Sequence, residues 1–272
     1  MISPFVSANR LVWRRTGITP GERAIPEETA VSFTYNGGAY AVMMATPQDL
    51  EDFAFGFSVT EGVVTAADEI SQLDIIEEEI GVELRMWLAE PRAQALTDRR
   101  RHIAGPTGCG LCGIESLTEA VRPAHHVPEG RRIAPAEIMQ ALEALTPRQE
   151  LNRQTRAVHA AAFWQHGTGF VAIREDVGRH NALDKLGGAI VRGNIPGQSG
   201  MVLLTSRVSV EMVQKTAALG VPVLVAVSAP TALAVRTAEA AGITLAAIAR
   251  DDGFEIFTHP HRIAEDAPAH VA

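Results

Sequence analysis

The second half of the chain alternates short apolar runs with amphipathic helical stretches, and this alternation restricts the available folds more than any other feature. Phe170–Ile173, Met201–Leu204, Val221–Val227 and Ile243–Ala249 are strand-sized, and Phe254–Phe257 reads as a further strand. Between them, Asn181–Val191, Ser209–Leu219 and Pro230–Ala241 carry helical periodicity. Leu183, Leu186 and Ile190 mark one inward face, and Gly220 and Gly242 stop the last two helices. Strands alternating with helices of this length predict right-handed βαβ crossovers and a largely parallel sheet covered by helices. The predicted organisation is an extended N-terminal segment over 1–26, a smaller β-rich portion over 27–134 and an α/β domain over 135–272.

Within the β-rich portion, Val31–Tyr35 alternates apolar and polar residues, and Asn36-Gly37 suits a tight hairpin turn into a return strand, Ala39–Ala45. Thr46 is placed to cap a helix with Pro47 in its first turn and Leu50, Phe53, Ala54 and Phe57 on one face. Leu73–Glu79 and Val82–Ala89 read as a second hairpin, and Pro135 opens a helix with Ile138, Leu142 and Leu145 aligned. With 272 residues, 46% of them hydrophobic, the chain can bury a core without disulfide staples. A net charge of -8 argues against broad nucleic-acid binding, which needs a basic footprint. No apolar run approaches the roughly 18 residues of a membrane span. The first residues lack a charged segment followed by an apolar core, so a cytoplasmic location with reduced cysteines is expected.

Both cysteines fall in Thr107-Gly-Cys109-Gly-Leu-Cys112-Gly113. Glycines flank the thiols, and a short helix starting near Gly113 would stabilise a thiolate through its N–H groups. One CxxC supplies two of the four ligands that a structural zinc needs, and His102, His125, His126 and His159 lack knuckle spacing, so no metal is expected. A zinc deaminase needs H-x-E before P-C-x-x-C; here His159-Ala-Ala161 follows the cysteines and has no glutamate. A redox dithiol and a sulfur carrier, in which one thiolate accepts a sulfane sulfur, both remain open.

In an open parallel sheet, ligands bind beyond the carboxyl ends of the strands. Polar segments stand at each of those points: Arg174–Lys185, Thr205–Ser209, Ser228–Thr231 and Arg250–Gly253. Arg179, Lys185, Arg207 and Arg250 could neutralise phosphates, and helix starts at Ser or Thr suit an anion. Asp251 or Asp252 could accept from a ribose or a guanine edge. Asp176 and His180 read as turn and packing residues. No Walker A or G-x-G-x-x-G sequence is present, which disfavours NTP hydrolysis and dinucleotide redox chemistry.

Thr107–Gly113, His159-Ala-Ala161, the dodecamer Arg174–Lys185, Ser209–Val213 and Ser228–Val235 together resemble the formate dehydrogenase accessory sulfurtransferases, the FdhD family; Ala45–Leu50, Gly56-Phe57 and Glu61-Gly62 fit as well. The likeness runs from about residue 27 to about 260. It implies a three-layer fold related to cytidine deaminases without their zinc chemistry, and a homodimer. It implies sulfur transfer from a cysteine desulfurase, through a cysteine persulfide, to the bis-molybdopterin guanine dinucleotide cofactor of formate dehydrogenase. Cys109 would carry the persulfide, with Cys112 assisting. Ile248, Ala249, Arg250, Asp251, Asp252 and Gly253 fall where the family holds the dinucleotide, and Arg179, Lys185, Ser206, Arg207, Ser228 and Thr231 complete the expected cofactor contacts. The alternative is a chaperone that holds the cofactor without chemistry.

Overall fold

The computed structural model describes residues 2–90, 92–94, 96 and 123–263. Two sheets enclose a common core. The larger has six strands in the order β12-β11-β10-β9-β7-β8, built from β7 (His159–Gln165), β8 (Gly169–Asp176), β9 (Gly200–Leu204), β10 (Val223–Ala226), β11 (Thr244–Arg250) and β12 (Gly253–Ile256). The central trio β9, β10 and β11 is parallel, joined by α5 (Val210–Ala218) and α6 (Ala232–Ala241). The expected α/β class holds, but the sheet is mixed rather than largely parallel. β7 pairs antiparallel with both β8 and β9, and β12 returns antiparallel beside β11. The departure at one side comes from β7: His159-Ala-Ala-Ala-Phe-Trp-Gln has neither alternation nor β-branched residues, so its pattern conceals a buried strand.

Helices cover both faces of this sheet. α2 (Pro135–Leu145) buries Ile138, Ala141 and Leu145 against Ala162, Met201, Leu203, Val223 and Val225. On the opposite face α4 (Arg179–Arg192), α5 and α6 bury Leu183, Leu186, Met212, Val213, Ala234 and Ala238 against Phe163, Val202, Leu204 and Leu224. A short helix, α3 (Glu150–Thr155), precedes β7.

The smaller sheet has the order β4-β3-β6-β5, from β3 (Thr29–Tyr35), β4 (Gly38–Ala45), β5 (Ile70–Glu78) and β6 (Gly81–Leu88). Val31, Phe33 and Tyr35 alternate inward, and the Asn36-Gly37 turn takes the positive φ angles, 49° and 77°, that a two-residue hairpin requires. α1 (Leu50–Thr60) lies between this sheet and α4. Phe53 meets Phe33 edge-on with ring centroids 4.9 Å apart, and Phe57 stacks on it at 4.0 Å. Among the described residues one hydrophobic cluster joins buried side chains between Val31 and Val127 with others between Ala161 and Ala247, so the two sheets share a core.

Two sequence expectations change locally. Thr46 does not cap α1, which starts at Leu50 behind an Asp49 with φ 52°. Instead Thr46 N–H donates to Asp176 Oδ2 and its Oγ1 accepts from Val177 N–H, tying the β4–α1 junction to the end of β8. The segment before residue 27 is a ten-pair antiparallel hairpin, β1 (Phe5–Arg14) with β2 (Gly17–Pro26), rather than a single extended stretch.

α1 and α4 meet backbone to backbone. A Cβ on Gly56 would stand 1.6 Å from Asp184 O, and one on Gly188 would stand 1.8 Å from Asp52 O. Side chains of Asp52, Arg174 and Arg192 close the contact: Arg174 Nη2 and Arg192 Nη1 each lie 2.5 Å from an Asp52 carboxylate oxygen. Gly188→Ala is therefore expected to destabilise the protein by about 3 kcal/mol or more, the cost of forcing two packed helices apart. Urea unfolding of the variant against the parent measures it.

Candidate functional site at the strand ends

Because β7 runs opposite to both its neighbours, β8 points the same way as β9, β10 and β11. The carboxyl ends of these four strands and the first residue of β7 thus share one edge of the sheet. From β8 to β11 this edge spans four strand spacings, about 19 Å, long enough for an extended ligand. The loops along it are laced together. Thr205 N–H donates to Ala160 O, and Thr205 Oγ1 accepts from Ala160 N–H. Val208 N–H donates to Ala229 O, and Thr231 N–H returns the bond to Val208 O.

At the β8 end, the turn into α4 is organised by Asp176, which is fully buried. Its Oδ1 accepts from Gly178 N–H at 2.7 Å and Asn181 Nδ2 at 3.0 Å; its Oδ2 accepts from Thr46 N–H at 3.0 Å and lies 2.7 Å from Lys185 Nζ. All of its bonding is directed inward, as a positioning residue requires. Lys185 is also fully buried: its ammonium donates to Thr46 O at 2.8 Å, and burial pushes its pKa down against the pull of Asp176. This removes Lys185 from the expected anion contacts. Helical periodicity puts it on the face of α4 that Asn181 and Gly188 share, turned into the protein.

Arg179, the first residue of α4, stays at the edge. Its Nε is buried and has no hydrogen-bond partner among the described residues. His159, at the start of β7, is half-buried there; burial and then the nearby Arg179 cation hold its pKa below the usual imidazole value. His180 is held low for the same two reasons, with Glu211 Oε2 3.8 Å from its Nε2. The sequence gives His159 no site role because the strand it opens is hidden by its alanines. Its proximity to the dodecamer, which only pairing with Asp176 creates, has no local sequence signal.

The remaining expected contacts differ in what they offer. Arg207 is exposed, while the Ser206 side chain is buried, its Oγ donating to Arg207 O at 3.3 Å. Thr231 caps α6, accepting from Ala234 N–H at 3.2 Å, and Ser228 offers its half-buried surface while its carbonyl accepts from Ile248 N–H. Ile248 has φ 55°, and the β11–β12 register breaks between Ala247 and Arg250, which turns the strand end outward. Ala249 is buried, Arg250 folds back onto Val227 O and Ala249 O at 2.6 and 2.8 Å, and Asp251 and Asp252 are exposed ahead of Gly253. Cys109 and Cys112 lie outside the described residues. Among the described residues no group of three His, Asp or Glu side chains is placed to hold a metal ion, and no helix is long and apolar enough to cross a membrane.

Residues 26–264 match the model of the FdhD/NarQ family. A protein of Agrobacterium fabrum named "Sulfur carrier protein FdhD" is 55% identical over 247 residues, covering 89% of this chain and 90% of the relative. One of the same name from Brucella abortus is 52% identical over 258 residues, covering 94% and 96%. Among solved structures, a putative formate dehydrogenase accessory protein from Desulfotalea psychrophila superposes with a TM-score of 0.77 at 26% identity, covering 96% of this chain and all of that one.

Two outcomes follow from the edge geometry. Asp176→Ala strands a buried ammonium and is expected to cost about 3–5 kcal/mol of stability, read by chemical unfolding. His159 and His180 should titrate by NMR below the ordinary value of about 6.5, and stability should fall as pH drops through that region, because there the unfolded chain binds the protons more readily. The double variant His159→Gln, His180→Gln should flatten that part of the stability curve.

Proposed function

Because the chain belongs to the FdhD/NarQ family, we propose that it is a sulfur carrier for formate dehydrogenase maturation, moving sulfur from a cysteine desulfurase to the bis-molybdopterin guanine dinucleotide that the enzyme uses. The observation that carries this is the shared name of relatives more than half identical over nearly their whole length. The chemistry suits the sequence, which confines its two thiols to one CxxC segment. The Cys109 thiolate attacks the terminal sulfur of the donor's persulfide; the donor S–S bond breaks, the donor leaves as a thiolate, and Cys109 carries the persulfide with no net oxidation. Cys112 assists. Delivery breaks that S–S bond and returns the Cys109 thiolate, with the acceptor's reduced metal giving the electron pair.

The strand-end edge supplies a seat for the acceptor's nucleotide part. Arg179, Arg207 and Arg250 provide positive charge, and the start of α6 at Thr231 provides main-chain N–H groups. The buried, unsatisfied Arg179 Nε is the kind of donor that a phosphate oxygen completes. The exposed Asp251 and Asp252 are available to a guanine edge.

After incubation with a desulfurase and cysteine, mass spectrometry should show a gain of about 32 Da, one sulfur atom, on the parent protein. Cys109→Ala should lose both this adduct and formate dehydrogenase activation, while Cys112→Ala keeps part of each. Activation that survives in the double cysteine variant would instead favour a chaperone that only holds the cofactor. Calorimetric titration with GDP should show binding that weakens at least tenfold in Arg179→Ala, Arg207→Ala, a loss of about 1.4 kcal/mol or more; unchanged affinity removes the phosphate role from these residues.

A further inference from the structure

Lys215 is a buried charge that the carrier chemistry does not use. It lies in the second turn of α5 with its side chain 8% exposed, and its ammonium reaches two other helices. Nζ donates to Asp184 Oδ1 and Oδ2 on α4 at 2.8 and 3.1 Å. At the end of α1 it donates to Thr60 Oγ1 at 3.0 Å and to Glu61 Oε1 at 2.8 Å. Asp184 is fully buried and also accepts from Thr60 Oγ1 at 2.5 Å. Burial opposes the charge on Lys215, but Asp184 and Glu61 outweigh it and hold its pKa above the ordinary lysine value. The ammonium also stands 5.7 Å from the centroid of the Phe57 ring. One cation thus fastens α5 to α4 and to the carboxyl end of α1, where the helix dipole favours positive charge.

The pair belongs to a ladder between α4 and α5. Asp184 follows His180 by four residues and Lys215 follows Glu211 by four, so each helix places both side chains on one face. The outer rung, next to the strand ends, is His180 Nε2 with Glu211 Oε2 at 3.8 Å; the inner rung is Asp184 with Lys215. A turn further on, a Cβ on Gly187 would stand 3.1 Å from Leu219 Cδ2 at the end of α5. The two helices therefore run side by side away from the edge. Their starts carry the edge groups: Arg179 opens α4, and Ser206 and Arg207 lead into α5.

The placement of α4 is set elsewhere, by Asp176–Lys185 at its start and by the glycine notches against α1. α5 is held differently. Its buried apolar side chains, Met212, Val213 and Ala217, make non-directional contacts, which constrain axial position less sharply than a hydrogen bond does. A buried ion pair adds little net stability over uncharged side chains of the same shape, and its best-attested use is to fix a register. We propose that Lys215 and Asp184 are positioning residues for the strand-end seat: their ion pair sets the register of α5 against α4, and so the gap between Arg179 and the Ser206–Arg207 turn across which a phosphate is held. Both act through the helices rather than on the ligand itself. The proposal rests on the reading of this edge as the seat of a guanine nucleotide.

The test combines GDP binding with two readouts that do not depend on it, all on the full chain. Lys215→Met, Asp184→Asn removes both charges while nearly keeping both shapes, so it should melt near the parent temperature. Lys215→Met alone leaves a buried carboxylate without its cation and should melt lower. In the double variant, GDP affinity by calorimetry should fall at least tenfold. The sulfur adduct formed with a desulfurase and cysteine should stay at the parent level, which a general loss of folding would not allow. A crystal structure of the double variant should show α5 shifted along its axis relative to α4. Parent-like GDP affinity in the double variant overturns the proposal, as does a loss of affinity with α5 unmoved. If the double variant does not fold, Asp184→Asn alone decides: it keeps an acceptor for Lys215 but loosens the pair, and unchanged GDP affinity there also overturns the proposal. A parent that binds no GDP defeats the reading of the edge as a nucleotide seat, while the position of α5 in the variant still decides whether the pair sets the register.

Discussion

The buried pair Asp176–Lys185 is the joint on which the rest of the molecule turns. A carboxylate and an ammonium 2.7 Å apart, both shut off from water, are tolerable because the carboxylate also accepts three N–H bonds and the ammonium also donates to Thr46 O. The partners come from separate parts of the chain: Thr46 from the β4–α1 junction, Gly178 and Asn181 from the turn into α4. Asn181 Nδ2 also donates to Met44 O, so the last residues of β4 are held from the same point. One polar knot therefore sets the end of β8, the start of α4 and the approach to α1 together, and Arg179 and His180 project from the turn it stabilises.

The site owes its position to direction rather than to any single residue. β7 is inserted between β8 and β9 and runs against both, which leaves β8 aligned with β9, β10 and β11. Four loops consequently open on one edge, and each is followed by a helix or a tight turn. Burial and then the Arg179 cation lower the pKa of both histidines at this edge. The lasting cationic character of the edge comes from its arginines, whose charge does not vary across the physiological range.

Much of this was legible in the chain. Val31–Tyr35 with Asn36-Gly37, and the three Gly- or Ser-bounded helices of the second half, carry strong local periodicity, and they form nearly where the pattern puts them. The convergence of polar segments on one edge follows from strand direction, which βαβ spacing specifies. What escaped has long-range causes. β7 is alanine-rich and is a strand only because β8 and β9 flank it. Thr46 has the signature of a cap, yet its amide donates to a buried aspartate 130 residues away and its hydroxyl accepts from Val177 N–H instead. Lys185 looks like a phosphate ligand from its place after a strand; the turn of α4 rotates it inward. The cysteine segment was readable from composition alone, as the one place where the chain concentrates its thiols.

The close approach of α1 to α4 also has a temporal side. Gly188 leaves the ribosome 136 residues after Asp52, roughly ten seconds at ordinary elongation rates. Throughout that interval α1 has only half of its surroundings: Phe53 and Phe57 can settle on Phe33, but the opposite flank of the helix awaits a partner not yet synthesised. The nascent amino-terminal half is thus an incomplete sandwich with a bare, glycine-notched helix on its outside. Its completion is a late, long-loop closure, and the first half of the polypeptide depends on the second for its final shape.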